Sequence, residues 1–171
     1  RLSHPRPPFA GGHTQDGIVT DRGDAGSEVI SVRIGEMKVA TPPAILTAVG
    51  VGSCVVVVIR DRDRGTGGMA HVMLPWLPKR PREGANRYKY ADFAIERMIE
   101  DLIERGSDRR SLAARLVGGA HMFRMSRSPV LDIGARNLEA ARRKLRQVDV
   151  PVQGEDVGGT WGRSVELLLA D

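Results

Sequence analysis

A short glycine turn that ends on the chain's single cysteine and opens directly into a run of β-branched residues, Gly50-Val51-Gly52-Ser53-Cys54-Val55-Val56-Val57-Val58-Ile59, constrains this chain more than any other stretch. A continuous apolar run of that length, bounded by turn residues, reads as a buried strand. Cys54 therefore sits at a strand mouth. After the polar loop Arg60 to Gly65, a second strand is expected to begin near Met69. It would place Met69, His71 and Met73 on one face and Ala70, Val72 and Leu74 on the other.

Whether Cys54 and His71 meet is a question of register. In an antiparallel hairpin the numbers of opposed residues add to a constant, and opposed side chains share a face. A constant of 125 opposes Cys54 to His71 and puts Arg62-Asp63 at the tip. A wider loop ending at Gly67-Gly68 opposes Ile59 to Met69 and separates the pair by about 10 Å along the strands; a bulge at Gly68 would restore the closer register.

The chemistry of the pair is simple. A thiol with a pKa of about 8.5 is a weak nucleophile at neutral pH, and an adjacent imidazole that accepts its proton makes the thiolate. Gly50 and Gly52 would let backbone N–H groups approach an oxyanion closely, as acyl transfer requires. The same residues also fit a plainer arrangement, in which Cys54 is a small buried hydrophobe and His71 a hydrogen-bonded core histidine. Spacing alone does not separate the two readings.

Six blocks occur in order along the chain: V-G-V-G-S-C-V-V-V-V, G-G-M-A-H-V-M-L-P, K-Y-A-D, V-G-G-A-H-M-F, I-G-A-R-N and E-D-V-G-G-T-W-G-R-S-V. Together they resemble the chemoreceptor glutamine deamidase family CheD, from roughly Val29 to Leu169. The resemblance implies an α+β fold, a three-layer α/β/β sandwich, with Cys54 and His71 as the catalytic pair. It implies a glutamine of a methyl-accepting chemoreceptor's cytoplasmic domain as substrate, a CheC-type phosphatase as partner, and no metal or cofactor. The family also carries a catalytic threonine six residues before the cysteine, where this chain has Ala48. Thr47 lies one residue earlier, on the opposite face of an unbulged strand; Ser53 or a backbone carbonyl is the other candidate to orient His71, since a His N–H needs only an acceptor. In the V-G-G-A-H-M-F block His121 is a rival base, but the family pattern requires histidine only at the His71 position and tolerates other residues at the His121 position.

The rest of the chain reads as scaffold and surface. Residues 1–27 are dense in Pro, Gly and polar residues and are expected to form a disordered tail, with residues 28–171 as one domain. His4 and His13, in that tail, lack the partners a metal ion needs. Glu28 to Val39 alternates as one half-buried strand, with Val32 and Ile34 on one face. Trp76 and the arginines of the Pro-rich stretch after Pro75 either border a substrate groove or form a solvated loop. Helices are expected over 88–105, with Ala91, Ala94, Ile95, Met98, Leu102 and Ile103 inward, and over 134–148, with Leu138, Ala141, Leu145 and Val148 inward. Strands are expected over 112–117, 150–152 and 163–169. Met122 and Phe123 either form an exposed recognition edge or, as is more usual, pack in the core, and Glu155 and Asp156 either orient a histidine or serve plain turn chemistry, the more ordinary reading.

Composition bounds the function classes. A formal net charge of +5 and a basic second helix raise the question of nucleic acid. No aromatic residues interleave with the arginines as stacking platforms, so nucleic-acid binding is not expected and attraction to acidic protein surfaces is the more economical reading. One cysteine excludes an internal disulfide and suits a reducing compartment. No apolar run reaches the length of a membrane span, so a cytoplasmic protein without membrane insertion is expected.

Overall fold

The structure, a computed structural model, describes residues 27–121 and 132–170. All but Ser27 of the expected tail, including His4 and His13, lies outside the described residues, as does the Met122-Phe123 edge. In chain order the elements are β1 (Glu28–Ser31), β2 (Met37–Ala40), β3 (Ala44–Val51), β4 (Val55–Asp61), β5 (Gly67–Val72), α1 (Ala91–Glu104), β6 (Leu112–Gly118), α2 (Ile133–Gln147), β7 (Val152–Val157) and β8 (Arg163–Leu169).

The valine run becomes β4, and both of its faces are covered. Val55, Val57 and Ile59 point into a core shared with α1 and α2, whereas Val56 and Val58 point into a second core shared with Leu46, Ala48, Val165 and Leu167. Burying one such side chain contributes about 1.5–3 kcal/mol, so a strand with two apolar faces demands a layer on each side. The result is three layers. The helices cover one face of a five-stranded sheet ordered β2-β5-β4-β6-β7, and a three-stranded sheet ordered β1-β3-β8 covers the other. Both sheets are mixed: β1 runs parallel to β3 and β6 parallel to β7, the other pairs being antiparallel. This is the α/β/β sandwich expected.

Several local expectations need correction. The segment read as one strand over Glu28 to Val39 is two strands in different sheets, because Gly35, with φ of 76°, turns the chain between them. Val32 is buried and Ile34 exposed, so they do not share a face. The strand expected over 150–152 is β7, which runs on through Glu155 and Asp156; those residues are in a strand, not a turn. In α1 the inward position is Ile99, and Ile103 is exposed, since the helical period carries a residue after Leu102 out of the core.

The far end of the β4–β5 hairpin is organised by Asp61, whose side chain is buried. Its Oδ1 accepts from the Asp63 N–H at 2.9 Å, the Arg64 N–H at 3.2 Å and the Ser111 hydroxyl at 2.7 Å. Burial pushes this carboxyl up, but the hydrogen bonds from Ser111, Asp63 and Arg64, with the Ser107 hydroxyl nearby, together outweigh it and leave the pKa below the usual range. A carboxyl whose folded-state pKa is depressed stabilises above its unfolded value, and that stability is lost as pH falls through the folded value. Urea unfolding of Asp61→Ala should show a loss of about 1–3 kcal/mol at neutral pH. Between about pH 6 and pH 3 wild type should lose more stability than Asp61→Asn, which has no such proton to gain.

Candidate active site

The register of the β4–β5 hairpin decides how Cys54 and His71 stand. Val56 opposes His71 and Ile59 opposes Gly68, so paired numbers add to 127. That lies between the two registers considered from sequence. Cys54 itself lies in the bend before β4, and Met73 gives its N–H to the Lys89 carbonyl, so the ladder ends where Val55 pairs with Val72. The same alternation carried one step further would set Cys54 opposite Met73 and diagonal to His71, on the same face. Diagonal neighbours of this kind lie about 7–8 Å apart at Cα and closer at their side chains. The shared face is the one that looks toward the three-stranded sheet, since Val56 and Met69 belong to the inter-sheet core.

Burial sets the electrostatics. His71 is 1% exposed, and neither ring nitrogen has a hydrogen-bond partner among the described residues, the Cys54 thiol included. Burial pushes its imidazole pKa down; the Val32 main chain acts the other way but makes no well-formed hydrogen bond to the ring. Cys54 is half-buried, and burial pushes its thiol up against the opposing effect of its own N–H. Both shifts favour the uncharged forms at neutral pH, a protonated thiol and a neutral imidazole.

Strand β3 brings Ala48 into the same inter-sheet core, with Ala44 and Leu46. A methyl group there offers His71 no acceptor. Thr47 alternates to the other face, pairs with Ser31 and Glu166, and gives its carbonyl to the Val32 N–H at 2.7 Å. The register does shift between Ala48 and Val51, downstream of Thr47, so the shift leaves the Thr47 face unchanged.

The cysteine turn is held from the helix side by Asn137, fully buried on α2. Its Nδ2 donates to the Ser53 carbonyl at 3.2 Å and to the Met73 carbonyl at 3.1 Å, bridging the residue before the cysteine to the end of β5. Two glycines permit this approach. A Cβ on Gly118, which has φ of 109°, would collide with the Cys54 carbonyl, and a Cβ on Gly134 would collide with the Gly119 and Ala120 main chain. Thus the V-G-G-A and I-G-A-R-N blocks work as one clamp around the nucleophile's turn. The clamp was missed in sequence; its signal is a polar residue at an inward position of an otherwise apolar helix face.

The mouth beside Cys54 is completed by two more loops. Gly119 and Ala120 donate to the Cys54 and Gly52 carbonyls at 2.7 Å and 2.8 Å, and His121 donates its N–H to the Gly159 carbonyl at 2.8 Å. Val49 and Trp161, 69% and 59% exposed, give this rim apolar surface, and Arg163 lies over the Trp161 ring. Glu155 pairs with Arg142 and Asp156 with Arg163, so neither carboxylate orients a histidine. Trp76 packs under Arg143 of α2, whose position lies well along the helix from Asn137.

Comparison with known proteins follows this geometry. The family model described as CheD chemotactic sensory transduction matches residues 73–171. A protein of Halalkalibacterium halodurans named chemoreceptor glutamine deamidase CheD is 41% identical over 142 residues, covering 82% of this chain and 88% of its own. A Geobacter metallireducens protein named probable chemoreceptor glutamine deamidase CheD 2 is 43% identical over 146 residues, covering 84% of this chain and 90% of its own. The family-model match begins after Cys54 and His71, but a match over 82% of 171 residues necessarily spans both. A solved Neisseria meningitidis protein of family-model DUF152 is similar over 84% of this chain and 76% of its own, at 13% identity and a TM-score of 0.48, and bears on nothing further.

The Asn137 clamp generates a stability test with a definite order. Asn137→Ala removes two hydrogen bonds and leaves a small void, which should cost about 2–4 kcal/mol in urea unfolding. Asn137→Asp should cost more than the alanine variant, because it sets a carboxylate against two carbonyl oxygens where an amide donor now stands.

Proposed function

We propose that this chain, which belongs to the CheD family, hydrolyses the side-chain amide of specific glutamines in the cytoplasmic domain of methyl-accepting chemoreceptors. Cys54 is the nucleophile and His71 its base. The observation that supports this most is the β4–β5 register, which sets His71 opposite Val56 and leaves Cys54 in the bend two residues before Val56, at the open end of the hairpin. Since both are uncharged at rest, the reaction starts from a thiol and a neutral imidazole. His71 takes the thiol proton as sulfur attacks the amide carbon, a C–S bond forms, and the amide oxygen becomes an oxyanion.

The turn supplies what that oxyanion needs. The N–H groups of Ser53 and Cys54 donate to no main-chain carbonyl among the described residues. N–H donors fixed beside a nucleophile stabilise charge that develops only in the transition state. Collapse of the adduct breaks the C–N bond, the nitrogen leaves as ammonia with the proton His71 returns, and water hydrolyses the thioester to glutamate. No cofactor or metal enters this scheme. Each turnover converts a neutral amide on the receptor into a carboxylate and so changes its charge and its capacity to be methylated. Among the described residues no helix is long and apolar enough to cross a membrane; the reading assigns the protein to the cytoplasm, where that receptor domain lies.

Ala48 favours a second reading. With a methyl group where the family has a threonine hydroxyl, the His71 ring lacks an orienting partner. A chain weakened in this way would serve chiefly as a binding partner of a CheC-type phosphatase. Thr47, on the outer face, Ser53, held by its carbonyl, and a main-chain carbonyl such as that of Val32 are the remaining candidates to orient the ring.

Mass spectrometry of a co-expressed chemoreceptor cytoplasmic domain separates the readings. Wild type should convert glutamine amide to acid, and Cys54→Ala should abolish the conversion; a wild type that forms a CheC complex and leaves every glutamine intact would favour the binding role. Ala48→Thr should raise the conversion rate about tenfold or more, by giving His71 a fixed orientation. An unchanged rate would show that the ring is oriented by something else.

A further inference from the structure

Two histidines flank the Cys54 turn, and they differ in the properties that matter for proton transfer. His71 is dry, with both ring nitrogens unpartnered. His121 is wet and held: its side chain is 38% exposed, and its Nδ1 lies 3.2 Å from Asp132 Oδ2. The carboxylate is itself fixed, because Oδ1 of Asp132 caps α2 by accepting the Ala135 N–H at 3.0 Å. A carboxylate only accepts, so Nδ1 of His121 carries a proton, and in the neutral tautomer that this selects, Nε2 is the acceptor.

The main chain ties this pair to the nucleophile. Gly119 and Ala120, the two residues before His121, are hydrogen-bonded to the carbonyls of Cys54 and Gly52, the turn that presents the thiol. His121 itself is bonded through its N–H to Gly159 in the loop between β7 and β8, so it is anchored on both sides of the mouth. A base on this rim meets solvent directly. His71, sealed between the two sheets, does not.

From this contrast we infer that the two halves of the reaction use different histidines, with His121, oriented by Asp132, activating the water that hydrolyses the Cys54 thioester. The inference rests on the deamidase reading above. In this step Nε2 of His121 takes a proton as the water oxygen attacks the thioester carbon and a C–O bond forms. The tetrahedral adduct then breaks its C–S bond, and the departing sulfur recovers the proton from His121, which leaves a carboxylic acid and the free thiol. Asp132 acts through His121 as a positioning residue.

Rapid-quench assay of ammonia, with intact-mass measurement of the enzyme, tests the division on a purified chemoreceptor cytoplasmic domain. Wild type should release ammonia steadily with little covalent adduct. His121→Gln should still release a burst of about one equivalent, then slow about 10²-fold as the receptor thioester accumulates on Cys54. Because the burst requires an ordered nucleophile, it also reports that the variant is folded. Asp132→Asn, with its single oxygen kept on the Ala135 cap, sets an amide NH2 against Nδ1 in place of a carboxylate oxygen, and should accumulate the same adduct to a smaller extent. A wild-type steady rate in His121→Gln would overturn the inference. Loss of the burst in His121→Gln would overturn it too, by placing His121 before acylation. If wild type neither releases ammonia nor forms an adduct, the deamidase reading itself fails and this one with it.

Discussion

Burial of β4 on both faces is the constraint from which the rest of the architecture follows. A strand of alternating polarity needs one covering layer; Val55, Val57 and Ile59 on one side and Val56 and Val58 on the other need two. One layer is the helix pair, and the other is the small sheet of β1, β3 and β8. The same alternation sends the side chain two residues before Val56, that of Cys54, toward the small sheet. His71 is sent there too, by its pairing with Val56. The candidate base is thus sealed in the dry seam between the sheets, with the half-buried Cys54 at the end of the adjoining strand, as a direct consequence of how the core is built.

Dryness has a chemical price. A thiolate beside an imidazolium is favoured where both ions are solvated or hydrogen-bonded, and the seam between the sheets offers neither. Burial raises the thiol pKa and lowers the imidazole pKa, so the neutral pair is the resting state and charge develops only during attack. Such a site depends on orientation and on nearby N–H donors more than on a preformed ion pair. Asn137 provides part of that order by fixing the turn through the Ser53 and Met73 carbonyls, while Ala48 withholds a hydroxyl from the ring.

Much of this was legible in the sequence, for identifiable reasons. The valine run, the strand around His71, the two amphipathic helices and the glycines at 118 and 119 follow local periodicity or turn chemistry, and all appear where that chemistry puts them. The α/β/β layering came from the family resemblance and not from periodicity. What pattern could not provide was long-range. The hairpin register depends on where the loop closes, and Asp61 closes it by binding the Asp63 and Arg64 main chain and Ser111, a residue far along the chain. The division of the first strand into two sheets depends on a single left-handed glycine, Gly35. Asn137 and Asp132 were invisible as site residues because their partners, Ser53, Met73 and His121, are brought to them only by the tertiary fold. His121 was visible as a histidine near a glycine pair, but its exposure and its carboxylate partner were not.

A buried, uncharged base is tested most directly by the state of the His71 ring. Heteronuclear NMR of that ring, followed from about pH 5 to pH 8 in wild type and in Cys54→Ala, would test it. A neutral imidazole at pH 7, titrating below the ordinary histidine range and changing its ring shifts when the thiol is removed, is the predicted result. A ring that is protonated at pH 7, or one that does not respond to loss of Cys54, would contradict the proposal that a buried, uncharged His71 faces the nucleophile.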